Sequence, residues 1–202
     1  MATSDVDIIN RALRKVDNTV IQSLTETTET GLSVRDVYDE SRQYLLACAG
    51  WTFALKRQKL ARLSETPAFG YSYYYQRPAG MIRPVGMFID SVGRAKLRDF
   101  KIEMPGIAAS AEDIYARFIF DLTDPNKFSP LFRAALEDLL AHKFAYDLPG
   151  SRALAQDHLD RFERVSLPRA YSNDAIDDGE DDFGPDSDWV TARYSGSDRD
   201  GW

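Results

Sequence analysis

The sequence predicts an α+β fold: an antiparallel helical bundle of four main helices with a small inserted antiparallel β subdomain and an extended acidic C-terminal tail. Apolar residues recur at spacings of three and four in residues 5–17, 34–48 and 130–165, which is typical of amphipathic helices. Between them the apolar spacing changes towards two, as in strands. The expected parts are the first half of the bundle (1–66), the β subdomain (67–125), the helical hairpin that closes the bundle (126–171) and the tail (172–202).

The first helix is predicted from about residue 5 to residue 17. Ser4, followed three residues later by Asp7, is a variant of the capping box with Asp in place of Glu or Gln. One apolar stripe follows, formed by Val6, Ile9, Leu13 and Val16. The Thr/Glu-rich residues 25–30 have little to bury, so they are expected to form an exposed loop.

The second helix is predicted to open at Thr30 or Ser33 and to end or bend at Gly50. Its apolar face contains Val34, Val37, Tyr38, Ser41, Tyr44, Leu45 and Cys48. Trp51 and Phe53 follow at once, so large aromatic side chains are expected to pack into a turn there. Cys48 is the only cysteine, which excludes an internal disulfide and favours a buried small side chain over a reactive thiol.

Four strands are predicted in the β subdomain, at residues 71–76, 81–89, 96–103 and 114–122. In the last of them Phe118 and Phe120 alternate with Ile119 and Asp121, which gives one apolar face and one mixed face. Residues 91–94 are expected to form a hairpin turn, in which Gly93 is best able to adopt a positive φ.

The third helix has clear start and stop signals in the sequence. Ser129 is the predicted N-cap and Pro130 occupies the first helical position. Residues 148–150, Leu-Pro-Gly, stop this helix, and Ser151 can start the fourth. The fourth helix carries the stripe Leu154, Ala155, His158, Leu159, Phe162 and Val165. Because the link is so short, the last two helices are expected to pair antiparallel.

The net charge of −7 is distributed unevenly. Residues 172–202 contain ten acidic and two basic residues, a balance of −8, which leaves 22 acidic and 23 basic residues, or +1, in residues 1–171. No basic stripe supports binding to nucleic-acid phosphates. The only basic cluster contains Lys56, Arg57, Lys59 and Arg62. It is interpreted as a solvated face or as a receiving surface for an acidic partner, one candidate being the acidic tail of a neighbouring copy.

The tail contains more aromatic residues than a purely solubilising spacer needs, since disordered segments are usually poor in them. Its candidate partner-binding anchors are Phe183, Trp189, Tyr194 and Trp202. The alternative is an untethered tail. The acidic run 177–182 lacks the pattern of a calcium-binding loop and is interpreted as a solvated linker.

Catalytic motifs are missing from the sequence: it has no nucleophile elbow, no P-loop and no dinucleotide-binding glycine motif. His142 and His158 could approach each other across the helical hairpin, but no further ligand set accompanies them, so helix-surface or interface histidines are favoured. We therefore predict no enzyme, no catalytic residue, no metal and no cofactor. The opening residues lack a signal-peptide pattern and no apolar run is long enough to span a membrane, so a soluble protein made inside a cell is expected.

Three short motifs carry a resemblance to a known family. They are an N-x-A-L helix (Asn10, Ala12, Leu13), a turn with the pattern L-x-x-x-x-W-x-F-A (Leu46, Trp51, Phe53, Ala54) and Y-x-x-P (Tyr75, Pro78). Together with the order of elements over residues 5–165, they resemble the tail tubular protein A family, the adaptors between portal and tail nozzle in short-tailed bacteriophages. That family often has Asp two residues after the proline, where this chain has Gly80.

The resemblance implies a structural adaptor in the virion tail, made in the host cytoplasm. It implies a twelvefold homo-oligomeric ring on the portal protein, with the helical bundle docked upward and the β part facing the tail nozzle protein. DNA would pass through the ring during ejection without sequence-specific binding, and no direct membrane binding is expected. Two alternatives remain: a head-completion or tail-terminator ring, and a non-phage binding module that acts through the acidic tail.

Overall fold

A computed structural model of the chain describes residues 3–16, 20–21, 34–147 and 152–177. Several predicted features lie outside these residues. They are the loop at 25–30, the predicted starts of the second and fourth helices, the Leu-Pro-Gly stop and the four aromatic anchors beyond residue 178. The described residues form helices around an antiparallel β structure.

The helices are α1 (Asp5–Val16), α2 (Val34–Cys48), α3 (Pro130–Asp147), α4 (Arg152–Arg161) and α5 (Leu167–Asp177). The predicted caps of α1 and α3 are confirmed. Ser4 N donates to Asp7 Oδ2 at 2.8 Å, and Asp7 N donates to Ser4 Oγ at 3.1 Å, which closes the capping box. At α3, Phe132 N donates to Ser129 Oγ at 3.2 Å.

A π-helical turn, Phe162–Ser166, joins α4 to α5 without a break. In this turn the N–H of Leu167 donates to the carbonyl of Phe162, five residues back. Pro168 has no N–H for the regular bond to the fourth residue before it, and its ring would clash with that carbonyl. The wide turn contains one additional residue, so the predicted stripe fails at Val165, which is 39% exposed.

The strands are β1 (Leu55–Lys59), β2 (Tyr73–Tyr75), β3 (Met81–Phe88), β4 (Phe100–Glu103), β5 (Gly106–Ala109) and β6 (Tyr115–Phe120). They form two three-stranded antiparallel sheets, a first sheet with the order β1-β6-β3 and a second with the order β2-β5-β4. The four predicted strands contain β2, β3, β4 and β6. The sequence did not predict β1 and β5.

The turn between β3 and β4 agrees with the prediction. Gly93 has a φ of +79°. Ile89 N donates to Ala95 O at 3.0 Å, which closes the loop around that glycine.

Strand β6 separates two apolar cores. Ile119 belongs to the main core with Trp51 and Phe132, whereas Phe118 belongs to a second core with Tyr75 and other residues of the two sheets. Neighbouring strand residues point to opposite faces. The first sheet therefore has the helices on one face and the second sheet on the other.

The predicted four-helix bundle with an inserted β subdomain is wrong as a fold class. The described residues form a mixed structure in which the first sheet is one wall of the main helical core. The prediction treated residues 1–66 as helical, but β1 begins directly after the Trp51 turn and pairs with β6. Because β6 contributes Ile119 to the main core, the helices do not close a core by themselves.

The predicted tail also begins too early. Helix α5 extends to Asp177, and Asp174 is only 8% exposed. Residues 172–177 therefore belong to the folded body. The remainder of the predicted tail lies outside the described residues.

Candidate functional site

The turn after α2 connects the helices to β1. Trp51 is fully buried, and its indole Nε1 donates to Leu45 O at 2.8 Å. Its ring centroid lies 5.1 Å from that of Phe132 and 5.2 Å from that of Tyr171. The predicted aromatic turn is thus a contact between α2, α3 and α5. Burial raises the pKa of the Tyr171 phenol to about 12, so this ring stays neutral at physiological pH.

Helix α5 is tied to the same turn. The carboxylate of Asp174 accepts from Thr52 N at 3.0 Å and from Thr52 Oγ1 at 2.9 Å. Thr52 opens a short 3-10 helix (Thr52–Ala54) that leads directly to β1. A carboxylate at the start of a helical turn satisfies N–H groups that have no partner within the turn. The C-terminal part of α5 is therefore held beside the start of β1.

Strand β1 lies at an edge of the first sheet. Three of the four predicted basic residues lie in this strand, and Arg62 follows it three residues later. Lys56, Arg57, Lys59 and Arg62 are all exposed. Arg57 and Lys59 lie on one face of the first sheet and Lys56 on the other, because side chains alternate along a strand. The predicted basic cluster is therefore a basic strand edge and not one compact patch.

Three of these residues lie over aromatic rings, and the most distant is Lys59, whose Nζ is 5.6 Å from the centroid of the Tyr115 ring. Lys56 Nζ is 3.0 Å from the centroid of the Phe120 ring. The guanidinium carbon of Arg62 is 3.7 Å from the centroid of the Tyr73 ring, and Arg62 Nη2 donates to Glu112 O at 2.9 Å. Stacking on a ring face orients a cation while leaving its charge available.

Lys59 and Arg57 differ in their charge partners. Lys59 Nζ lies 2.8 Å from Asp113 Oδ2, and that hydrogen bond raises the pKa of Lys59. Arg57 lies directly opposite Arg117 in the antiparallel register, and like charges in that position repel. Among the described residues, Asp113 is the only carboxylate that pairs with any of the four basic residues.

Gly80 leaves room for the Phe120 ring on which Lys56 lies. It has a φ of +69°, and a Cβ placed on it would lie 2.7 Å from Phe120 Cε2. A side chain here would be strained and would displace the ring on which Lys56 lies. Glycine is therefore favoured at this position for a steric reason.

Sequence reasoning missed a buried arginine. Arg42 of α2 is 2% exposed, donates to Leu122 O at 2.9 Å, and forms an ion pair with Asp121 at the end of β6. This pair joins the helical layer to the first sheet. A signal was present, because Arg42 follows Tyr38 by four residues and therefore lies on the predicted apolar face of α2.

A second missed group surrounds Asp138 of α3. Its carboxylate lies 2.8 Å from Lys15 Nζ and 3.4 Å from Arg161 Nε, and it accepts a hydrogen bond from Ser166 Oγ in the π turn. It therefore connects α1, α3 and the end of α4. The signal in the sequence is an acidic residue flanked by the apolar residues Leu136, Leu139 and Leu140.

The two histidines differ in their hydrogen bonding. Nδ1 of His142 lies 2.8 Å from Ala155 O, which links α3 to α4 in the antiparallel arrangement expected for these helices. His158 Nε2 is buried and has no hydrogen-bond partner among the described residues. Within the described ranges, no group of three or more His, Cys, Asp or Glu residues is arranged to hold a metal ion.

Cys48 is half-buried, whereas the sequence prediction was a buried side chain. Its Sγ donates to Tyr44 O at 3.3 Å. Burial is the main cause that raises the pKa of this thiol, so its reactive thiolate form is disfavoured at neutral pH.

Comparisons with known proteins leave the family open: no protein-family model and no curated protein matches the chain. No helix within the described residues is long and apolar enough to cross a membrane. The geometry thus offers a basic strand edge and two groups of ion pairs, around buried Arg42 and buried Asp138, that join layers. The candidate anchors Phe183, Trp189, Tyr194 and Trp202 lie outside the described residues.

Proposed function

We propose that this protein is a structural adaptor that forms a ring between the portal and the tail nozzle of a short-tailed bacteriophage and leaves a passage for DNA. The observation that carries the proposal is the position of the motif residues behind the family resemblance. They contact other layers of the fold and hold them together.

The N-x-A-L motif illustrates this role. Asn10 Nδ2 donates to Ile21 O at 3.0 Å, and Ile21 N donates to Asn10 Oδ1 at 2.8 Å, so one amide side chain fixes the backbone at Ile21. Ala12 and Leu13 of the same motif are buried in the main core. The motif therefore stabilises a packed helix and the segment beside it.

The other two motifs act in the same way. Leu46, Trp51 and Ala54 are buried in the main core, with Phe53 packed against it. Tyr75 is buried in the second core, and its hydroxyl donates to Glu112 O at 2.9 Å. Motif residues of this kind specify a fold, which suits a family defined by assembly.

Exposed apolar side chains supply candidate contact surfaces for such an assembly. Phe69, before β2, and Met104, between β4 and β5, are each 89% exposed. On the helices, Tyr146 of α3 and Ile176 of α5 are also exposed. Large exposed apolar side chains at both the β and the helical parts suit a component that contacts more than one partner.

The decisive experiment mixes the purified full chain with a candidate portal protein, and in a parallel sample with a candidate nozzle protein, and images both products by electron microscopy. We expect a ring of this protein seated on the portal. Binding to the nozzle alone would favour a tail-terminator ring. A protein that forms no ring and binds neither partner would contradict the proposal.

Matched variants sharpen this test. Phe69→Ser and Met104→Ser should reduce assembly on the portal or the nozzle while leaving the melting temperature unchanged, because both side chains are almost fully exposed. Val92→Ser, an exposed change at the tip of the β3–β4 turn, is the control. Equal assembly by all three variants would show that these loops are not contact surfaces.

A further inference from the structure

The outer edge of β1 has backbone groups without a strand partner. In the order β1-β6-β3, β1 pairs with β6 on one side, and no described strand pairs with its other side. Proteins commonly cover or charge such edges, because free N–H and C=O groups invite pairing with another chain. We propose that the acidic segment 178–188 of the same chain docks along this edge.

Charge complementarity is the first argument. Residues 178–188 contain six acidic residues and no basic one: Asp178, Glu180, Asp181, Asp182, Asp186 and Asp188. On the receiving side, Lys56, Arg57 and Arg62 have no carboxylate partner among the described residues. Carboxylates are also good acceptors for the free N–H groups of a strand edge and for guanidinium groups.

The position of α5 is the second argument. Asp174 is hydrogen-bonded to Thr52, so the C-terminal end of α5 lies close to the start of β1. Arg57 follows Thr52 by five residues, a distance of at most about 17 Å along the chain. Asp181 follows Asp174 by seven residues; the three that end α5 at Asp177 rise about 4.5 Å, and the next four add at most about 14 Å when extended. The acidic segment is therefore long enough to reach Arg57.

The same position favours the chain's own segment over that of a neighbouring copy. A short tether holds a segment at an effective concentration in the millimolar range, well above the working concentration of a purified protein. The contact would hold in the free chain, whether or not the protein assembles on a portal. It would screen the basic edge and prevent edge-to-edge pairing between copies.

Disulfide trapping tests this docking. In a full-length Cys48→Ser background, Gln58→Cys in β1 is combined with Gly184→Cys in the acidic segment, and oxidation is followed on non-reducing gels. We expect an intramolecular disulfide, seen as a monomer of altered mobility, at a rate at least about tenfold above that of the control pair Ser91→Cys with Gly184→Cys. Raising the salt concentration should reduce this difference, because screening weakens exposed ion pairs.

Charge-reversal variants distinguish charge-dependent docking of the acidic segment from random collision of the two cysteines. Arg57→Glu should slow trapping of the Gln58/Gly184 cysteine pair, and Asp181→Arg with Asp182→Arg should restore the rate in that variant. Arg98→Glu, an exposed change before β4, is the matched control. If Arg57→Glu prevents folding, Arg57→Gln provides the same test with a smaller change.

Two results would overturn the proposal. One is trapping no faster than in the control pair. The other is a disulfide that forms only between chains, seen as a dimer, which would assign the edge to a neighbouring copy. Neither result affects the ring test, because trapping uses the free protein without a portal.

Discussion

At the scale of single residues, the layers are joined by polar side chains that the core would otherwise exclude. Arg42 forms an ion pair with Asp121 across the helix–sheet boundary. Asp138 forms ion pairs with Lys15 and Arg161 and accepts a hydrogen bond from Ser166. Removing one partner of such a group leaves a buried polar atom unsatisfied. These contacts therefore fix which elements pack together more than they add to the total stability.

Replacing Trp51, in the turn after α2, should destabilise the whole protein. Trp51→Ala removes the indole that contacts Phe132 and Tyr171 and the hydrogen bond to Leu45 O. We expect a loss of about 3 to 5 kcal/mol in the free energy of unfolding, measured by urea denaturation, as for other buried aromatic truncations. Phe69→Ala, at an exposed ring, is the control and should change little. A Trp51→Ala protein as stable as the wild type would contradict this packing.

Removing the buried carboxylate at the centre of α3 is the second residue-scale test. Asp138→Ala should cost about 3 kcal/mol, the lower end for a broken buried pair, because Lys15 and Arg161 are partly exposed and can turn to water. Asp157→Ala on the exposed face of α4 is the matched control. Equal urea midpoints for the two variants would show that the Asp138 group is not stabilising.

At the scale of elements, amphipathic helices with strong caps could be predicted from the sequence, but short strands could not. β1, Leu-Lys-Arg-Gln-Lys, is an exposed edge strand and contains only one apolar residue. Its sequence therefore lacks the alternation of apolar and polar residues that indicates a strand. β5, Gly-Ile-Ala-Ala, is fully buried and short, and its small residues do not favour a strand locally. Both are strands because of their tertiary partners β6, β2 and β4. The four basic residues named from the sequence lie in β1 or just after it, and their arrangement along a strand edge was not predictable.

The π turn provides an element-scale prediction. Buried Phe162 and Ala170 are eight residues apart, one more than two regular turns need. Deleting Val165 in a Pro168→Ala background should therefore convert the turn to a regular α-helix and keep both residues buried. Deleting Gln156 from regular α4 in the same background should rotate the preceding residues by about 100° and destabilise the protein far more. Melting temperatures compare the two deletions, and equal losses would contradict the register argument.

The cap of α1 predicts a pH dependence. Hydrogen bonds from Ser4 lower the pKa of Asp7 below its ordinary value of 3.8. A carboxyl group with a lowered pKa in the folded state stabilises the fold above its unfolded pKa, and this contribution is lost as the pH falls through the folded pKa. Asp7→Asn should therefore melt below the wild type near neutral pH, and the difference should disappear in strong acid. A difference that persists there would exclude the ionised cap as its cause.

At the scale of the whole molecule, the first sheet belongs to both cores. Ile119 contributes to the main core and its neighbour Phe118 to the second core. A strand that two cores share couples them mechanically and energetically, because neither core can open without exposing β6.

This sharing predicts one cooperative unfolding transition for the described body. Ile119→Ala and Phe118→Ala truncate adjacent residues that face opposite cores, and each should cost about 2 to 5 kcal/mol. Pulse hydrogen exchange in urea, read by mass spectrometry, would follow α3 and β5 separately. Each variant should move both midpoints to lower urea by the same amount, since the layers unfold together. If Phe118→Ala lowered the midpoint of β5 alone while α3 kept its wild-type protection, the second sheet would be an independent unit, as an inserted subdomain would be.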